Sequence, residues 1–265
     1  MPATGSVLDD IVAGAREDLA RREASLPLGE LRARLVDAPT PRDPMPHFRA
    51  TGSSVIAEVK RRSPSKGALA DIPDPASLAQ AYARGGAAAI SVLTEERRFG
   101  GSLDDLRTVR AAVDTPVLRK DFIVESYQLM EARAAGADLA LLIVAALDDD
   151  TLRRLHDEAT ALGLTVLVEV HDEAEAERAL ALEAELIGVN SRNLKTLEVD
   201  PDVFGRLAPQ MEGHAVLVAE SGITGVADVQ RFVSEGAGVV LVGEALVKDG
   251  DPEAAVRTMT GVTAP

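Results

Sequence analysis

Seven charged or amide side chains stand at the ends of short β-branched runs in this 265-residue sequence, and their types are those that proton transfer requires. Glu58 and Lys60 close the run SVIAEVK, Lys120 lies in TPVLRKDF, and Glu169 lies in TVLVEV. Asn190 ends ELIGVN and is followed by Ser191 and Arg192, while Glu220 lies in AVLVAES. Ammonium groups at Lys60 and Lys120 can give up protons, and carboxylates at Glu58, Glu169 and Glu220 can take them or keep the lysines charged. Any one of these alone reads more readily as a solvated charge at a strand end. Gathered at one rim they would have to pair with one another, and ionisable groups cluster in this way at catalytic sites. A second pattern lies in the last two runs, where Ser221-Gly222 and Gly243-Glu244 supply glycines at loop positions that can close a backbone cradle round a phosphate. Residues 244–248 form a candidate short helix behind that cradle. Taken singly, each is also an ordinary turn glycine, and Glu244 would have to turn its carboxylate away from the anion.

For these groups to meet, the chain must bring distant runs to a common edge. Eight runs can be counted: SVIAEVK, AAAISVL, TPVLRKDF, ADLALLIVA, TVLVEV, ELIGVN, AVLVAES and AGVVLVG. Helical patterns separate them near 75–84, 102–112, 125–135, 148–162, 172–183, 201–208 and 225–234, with a last one after Pro252. Continuous apolar strands alternating with helices predict a parallel sheet covered on its outer face. Eight units at this length, with no Gly-x-Gly-x-x-Gly after the first strand, predict a single closed (β/α)8 barrel rather than an open doubly wound sheet. Its strands react at their C-terminal ends. Side-chain alternation puts Ile56, Glu58 and Lys60 on one face, Leu118, Lys120 and Phe122 on another such face, and Thr165, Leu167 and Glu169 on a third. Each set starts small or apolar and ends at the rim. Ahead of the barrel, residues 6–24 and about 28–37 carry helical periodicity, and the proline-rich stretch APTPRDPMP should break any helix. The expected organisation is one domain over residues 1–265, with 1–50 a helical extension packed on the barrel.

Composition narrows the chemistry. The chain is 46% hydrophobic but only 3% aromatic, without Trp, so the core must be built from aliphatic side chains and offers no stacking platform for bases. A formal net charge of −15 repels polyanions, which argues against nucleic acid as a partner, while a few converging cations can still hold a small anion. With no Cys there are no disulfides, thiolate metal sites or cysteine nucleophiles. His47, His156, His171 and His214 lack metal-ligand spacing, so no metal is expected. Acidic Asp9 and Asp10 stand where a signal peptide would be basic, and the longest apolar run, 139–147, is too short to span a bilayer. A cytoplasmic protein with no membrane partner follows as an expectation.

The blocks around these residues resemble the indole-3-glycerol-phosphate synthase family. EVKRRSPSKG (58–67) is similar to that family's first-strand signature. ISVLTE (90–95), VLRKDFI (117–123), LVEVH (167–171), GVNSRNLKTLEVD (188–200), AESG (219–222) and LVGE (241–244) are similar to its other blocks, in the same order. The resemblance runs from the N-terminal helix to the last strand. It implies a cofactor-free lyase of tryptophan biosynthesis that closes the ring of 1-(2-carboxyphenylamino)-1-deoxyribulose 5-phosphate, with loss of carbon dioxide and water. On this resemblance Lys120 is the acid at the ketone oxygen, Glu169 the base or charge partner of dehydration, and Lys60 a substrate anchor and second proton donor. Glu58 balances the lysines, and Asn190 and Ser221 complete the catalytic set. Ser63, Phe122, Arg192, Glu220, Gly222, Gly243 and Glu244 bind substrate, Phe122 as a wall for the aromatic ring and the last two with Ser221 and Gly222 as the phosphate cradle. Ser63 sits on a loop, 61–67, that is expected to close over the pocket. Lys66 and Arg61 lie beside the site without an assigned role. The chain departs from the family pattern at Ala245, commonly a small hydroxyl residue, and at Gly100, in a loop that often carries a polar side chain. A monomer is expected, with a weak dimer as the alternative. The rival readings are another phosphate-binding barrel, such as phosphoribosylanthranilate isomerase with its Cys/Asp pair, or a non-catalytic barrel kept as a binding module.

Overall fold

The computed structural model describes residues 6–65, 67–69 and 72–264. Three helices come first, α1 (Val7–Ser25), α2 (Leu28–Arg34) and α3 (Met45–Phe48). Ser6 caps α1 reciprocally with Asp9, satisfying donors that the first turn cannot. The proline-rich stretch does not exclude helix, because α3 begins inside it. Pro46 falls in the first turn, where a missing N–H removes no intrahelical bond.

Eight parallel strands follow: β1 (Ser54–Val59), β2 (Ala89–Leu93), β3 (Val117–Lys120), β4 (Leu139–Ile143), β5 (Thr165–Val170), β6 (Leu186–Asn190), β7 (Val216–Glu220) and β8 (Val239–Val242). Each pairs with its neighbours in order, and β8 returns to pair with β1, closing the barrel. The connecting helices are α4 (Pro75–Arg84), α5 (Leu103–Ala112), α6 (Ser126–Ala134), α7 (Asp149–Ala161), α8 (Glu173–Ala181), α9 (Val203–Met211) and α10 (Val226–Ser234). The short α11 (Glu244–Val247) and then α12 (Pro252–Met259) end the chain's ordered elements. The expected (β/α)8 barrel with N-terminal helices is thus the observed fold.

Alternation along the strands splits the apolar residues into two cores. Val55, Ala57, Val92, Val168 and Val240 point outward against the helices, while Ile56, Leu118, Leu139, Leu167, Val218 and Leu241 fill the barrel. Met45 and Phe48 of α3 belong to the inner core, as do Leu8, Ile11 and Ala15 of α1. The extension therefore contributes to the barrel's own packing.

Two strands are shorter than their apolar runs. After Lys120 the Phe122 N–H donates to Asp121 Oδ1 at 2.8 Å instead of to a neighbouring strand, so β3 stops there. After Ile143 the run turns into a 3₁₀ helix at Val144–Ala146. The segment after β1 forms a small antiparallel pair, Arg62–Ser63 with Gly67–Ala68. Arg61 anchors its base through a two-pronged contact with Asp105, at 2.6 and 2.9 Å. Lys66 lies outside the described residues.

Candidate active site

A cavity of about 420 Å³ opens at the C-terminal ends of the strands, the end at which this barrel architecture carries its chemistry. All seven charged or amide side chains singled out from the strand ends line it: Glu58, Lys60, Lys120, Glu169, Asn190, Arg192 and Glu220. So do Ser63, Phe122, Ser221, Gly222, Gly243 and Glu244. Strand parity explains the convergence of Glu58, Lys60, Lys120, Glu169, Asn190 and Glu220, each of which continues the inward face of a strand whose deeper positions are packed in the core. The remaining residues come from the loops that follow the strands.

Lys120 is the centre of the arrangement. Its ammonium donates to Glu220 Oε2 at 2.9 Å and to Glu169 Oε2 at 3.3 Å, with only 12% of the side chain exposed. Burial alone would lower its pKa, but the charges of Glu220, Glu169 and Glu58 outweigh it and hold the group well above the ordinary lysine value. Glu169 is likewise buried. Burial would raise its pKa, yet Lys120, His171 and Asn190 together hold it well below the carboxylate range. Glu220 responds differently, because burial and the neighbouring Glu169 charge prevail over Lys120 and push it up to about 7. Its Oε1 has no hydrogen-bond partner among the described residues. Two carboxylates on one ammonium are thus driven apart in acidity, which separates their roles.

Asn190 ties the strand ends together. Its Nδ2 donates to Glu169 Oε1 at 3.0 Å, and its Oδ1 accepts from Ser221 Oγ at 2.8 Å and from the Arg192 N–H at 3.0 Å. Ser221 has φ +67°, a left-handed conformation that costs a non-glycine residue energy, and the residue after it, Gly222, shares that conformation at φ +75°. The hydroxyl of Ser221 therefore fixes which way the Asn190 amide faces. Arg192 donates from its guanidinium to the Leu197 carbonyl at 3.0 Å, bracing the loop that follows β6.

Lys60 pairs with Glu58 and stands beside Gly243. A Cβ added to Gly243 would lie 2.8 Å from Glu58 Oε1 and 3.5 Å from Lys60 Nζ, so glycine leaves room for that pair. The residues that follow β7 and β8, including Thr224, Ala245 and Lys248, line the same end of the cavity. At the other side Phe122 packs against Phe99, with ring centroids 6.2 Å apart, and Ile11 of α1 joins the wall. Gly100, the other departure from the family pattern, has φ +65°, which favours glycine, and is absent from the lining.

Sequence reasoning passed over Lys248, Ile11, Phe99 and Arg119. Lys248 ends the short helix already suspected, and its position one turn beyond Gly243 was the available signal. Arg119 gave none, since a charge on the outer face of a buried strand contradicts the apolar pattern. It is fully buried and donates to Asp121 Oδ2 at 2.8 Å and to the Gln128 carbonyl at 2.6 Å, with Glu131 at 3.4 Å. Asp121 is held in turn by Thr94 at 2.6 Å. This network clamps the chain directly after Lys120. Among the described residues no three His, Asp or Glu side chains come together as metal ligands. No helix among them is long and apolar enough to cross a membrane.

Comparison with known proteins agrees with this geometry. The family profile described as "Indole-3-glycerol phosphate synthase" matches residues 8–259. An indole-3-glycerol phosphate synthase of Nocardioides sp. is 77% identical over 257 residues, covering 97% of this chain and 99% of the relative. The enzyme of that name from Mycolicibacterium gilvum is 60% identical, covering 97% and 94% respectively. Among solved structures, 3-hexulose-6-phosphate synthase from Salmonella typhimurium superimposes with a TM-score of 0.64 over 78% of this chain and 96% of that one. At 18% identity that likeness concerns the fold alone. A profile spanning nearly the whole chain and relatives this similar leave one conclusion: the chain belongs to the indole-3-glycerol phosphate synthase family.

Proposed function

We propose that the chain closes and decarboxylates 1-(2-carboxyphenylamino)-1-deoxyribulose 5-phosphate, with Lys120 as the acid of ring closure. The observation that carries this reading is the placement of Lys120, gripped by two buried carboxylates in a cavity that Phe122 and the glycines Gly222 and Gly243 also line. The substrate would lay its anthranilate ring against Phe122 and its phosphate near Gly222, Gly243 and Lys248, bringing the ketone toward Lys120. Attack by the ring carbon that bears the carboxylate places charge on the ketone oxygen. An ammonium held this firmly protonated gives up its proton only to a strong base, and a developing alkoxide is one. The bond to the carboxylate then breaks, carbon dioxide leaves, and its electron pair restores the ring. In the last step Glu169 takes the proton from the carbon beside nitrogen while the hydroxyl departs as water, protonated by Lys60.

Glu58 keeps Lys60 charged, and Glu220 balances Lys120, which adds to the substrate-contact role expected of Glu220 from the sequence. Asn190 and Ser221 hold Glu169 in place. The small segment bearing Ser63 covers the mouth, and Arg192 and Glu244 border the phosphate end. One chain supplies every group in this scheme, so it works as a single domain in which residues 1–50 complete the barrel, and as a monomer or at most a weak dimer. A doubly anionic sugar phosphate does not cross bilayers, which sets the reaction in the cytoplasm.

Purified protein given the anilino-deoxyribulose phosphate, without metal or nucleotide, should release a fluorescent indole product. Lys120→Ala should lower turnover by about 10²–10⁴-fold with a smaller effect on KM. An unchanged rate in that variant would remove Lys120 from the acid role.

A further inference from the structure

His171 follows β5 directly and lies against the far side of Glu169, away from Lys120. Its Nε2 is 3.2 Å from Glu169 Oε1, the oxygen that also accepts from Asn190. The approach is close enough for an ion pair but is not aligned as a hydrogen bond, and Nε2 is buried without a hydrogen-bond partner among the described residues. Its Nδ1 is 2.9 Å from Glu175 Oε2, and the same oxygen accepts the His171 backbone N–H at 2.8 Å. Glu175 occupies the first turn of α8, where Asp172 accepts its N–H at 2.9 Å and caps the helix. Both ring nitrogens therefore lie beside carboxylates, Nδ1 in a hydrogen bond and Nε2 at ion-pair distance, and the carboxylate at Nδ1 belongs to the first turn of a capped helix.

We infer that His171 is a positioning residue, an imidazolium that holds the Glu169 carboxylate in its working orientation on behalf of Glu175. Nδ1 carries a proton toward Glu175, because that oxygen already serves as an acceptor for the backbone. A neutral ring would then bury the lone pair of Nε2 beside a carboxylate oxygen, which is repulsive, whereas a charged ring sets a positive charge against it. The acid–base balance agrees: burial pulls the ring's pKa down, but Glu169 and Glu175 more than compensate and push it up to about 10. The titratable groups facing the ring are Glu169 on β5 and Glu175 on α8, and those facing Glu169 beyond it are Lys120 and, across Lys120, Glu220.

The role has a mechanistic content that packing alone would not. When Lys120 hands its proton to the ketone oxygen, Glu169 loses the cation on its inner side. His171 keeps a positive charge against its outer side through that step, and Asn190 keeps its plane. The inference rests on Glu169 being the base of the reaction, so the experiment includes Glu169 itself. His171→Asn preserves a donor near the Nδ1 position but withdraws the group that faces Glu169, whereas His171→Gln restores a neutral donor near the Nε2 position.

The measurement is steady-state turnover of the anilino-deoxyribulose phosphate by His171→Asn, His171→Gln, Glu175→Gln, Glu169→Gln and the double variant Glu169→Gln/His171→Asn, each with a thermal melt. Expected are a fall in kcat of about tenfold or more for His171→Asn with KM changed by less than about threefold, and partial recovery in His171→Gln. Glu175→Gln should show a smaller loss of the same kind. The double variant should be no slower than Glu169→Gln, because two groups acting through one atom do not add. Wild-type kcat in folded His171→Asn, or losses that multiply in the double variant, would overturn the inference while leaving Glu169 as base. Wild-type kcat in Glu169→Gln would instead bring down the reading on which it rests. Should His171→Asn fail to fold, Glu175→Gln and His171→Gln decide the matter, and wild-type kcat in both would refute it.

Discussion

At the scale of the residue, the site is a contest for one ammonium. Lys120 satisfies Glu169 and Glu220 together, and the cost of burying both carboxylates is met unequally. Glu220 carries the remainder, with its pKa lifted to about 7 from an ordinary value of 4.5. Between those two pH values the folded protein binds a proton that the unfolded chain has released. The contribution of Glu220 to stability therefore falls as pH rises through that window and levels off above it. Glu220→Gln should flatten this slope, which thermal melts of both proteins from pH 4.5 to 7.5 would reveal; parallel slopes would show that Glu220 titrates normally. Residue identity was the most legible layer of the sequence. The polar strand ends announced Glu58, Lys60, Lys120, Glu169 and Asn190, because strand parity leaves an inward charge nowhere to go except the pocket. The roles of Arg119 and His171 were not legible, since they depend on contacts with Asp121, Glu131 and Glu175 that only the fold specifies.

At the scale of the element, the strands act through what they leave out as well as what they present. Gly188 lies on the inward face of β6, and a Cβ there would come within 2.1 Å of Glu220 Oε1 and 3.2 Å of Leu167 Cδ1. Its absence is the slot into which the Glu220 carboxylate fits beside Lys120. Gly188→Ala should force Glu220 aside, at a stability cost of about 1–3 kcal/mol typical of overpacking, and should lower kcat by about tenfold. Melts and turnover measured together check this, and unchanged turnover with the melt lowered would mean that Glu220 can shift without consequence. The alternation of strands and helices was readable from hydrophobic pattern alone. Their ends were less so, because β3 and β4 stop where a side chain or a 3₁₀ turn takes over the backbone's hydrogen bonds, and apolar pattern does not register that exchange.

For the whole molecule, a net charge of −15 surrounds a pocket whose cations are largely matched by carboxylates. The far field therefore opposes capture of an anionic sugar phosphate, and added salt should relieve it. We expect kcat/KM to rise about two- to fivefold as ionic strength goes from about 10 to 150 mM and the screening length shortens from about 30 to about 8 Å. A monotonic fall, measured by progress curves at low substrate, would mean that the local field of Lys60, Lys120 and Lys248 dominates. Barrel closure itself was foreseeable by counting strands, and so was the seating of the N-terminal helices on the barrel. That α1 enters the inner core was not, because periodicity gives an apolar face and not the core it joins, and α3 lies in a stretch expected to break helices. The pairing of β8 with β1 also bears on behaviour in concentrated solution. With every barrel strand flanked on both sides, the barrel offers no row of main-chain amides to recruit a neighbour's strand, and like net charge opposes the approach of copies. Aggregation of this protein should accordingly wait on rupture of that seam rather than begin from the intact native state.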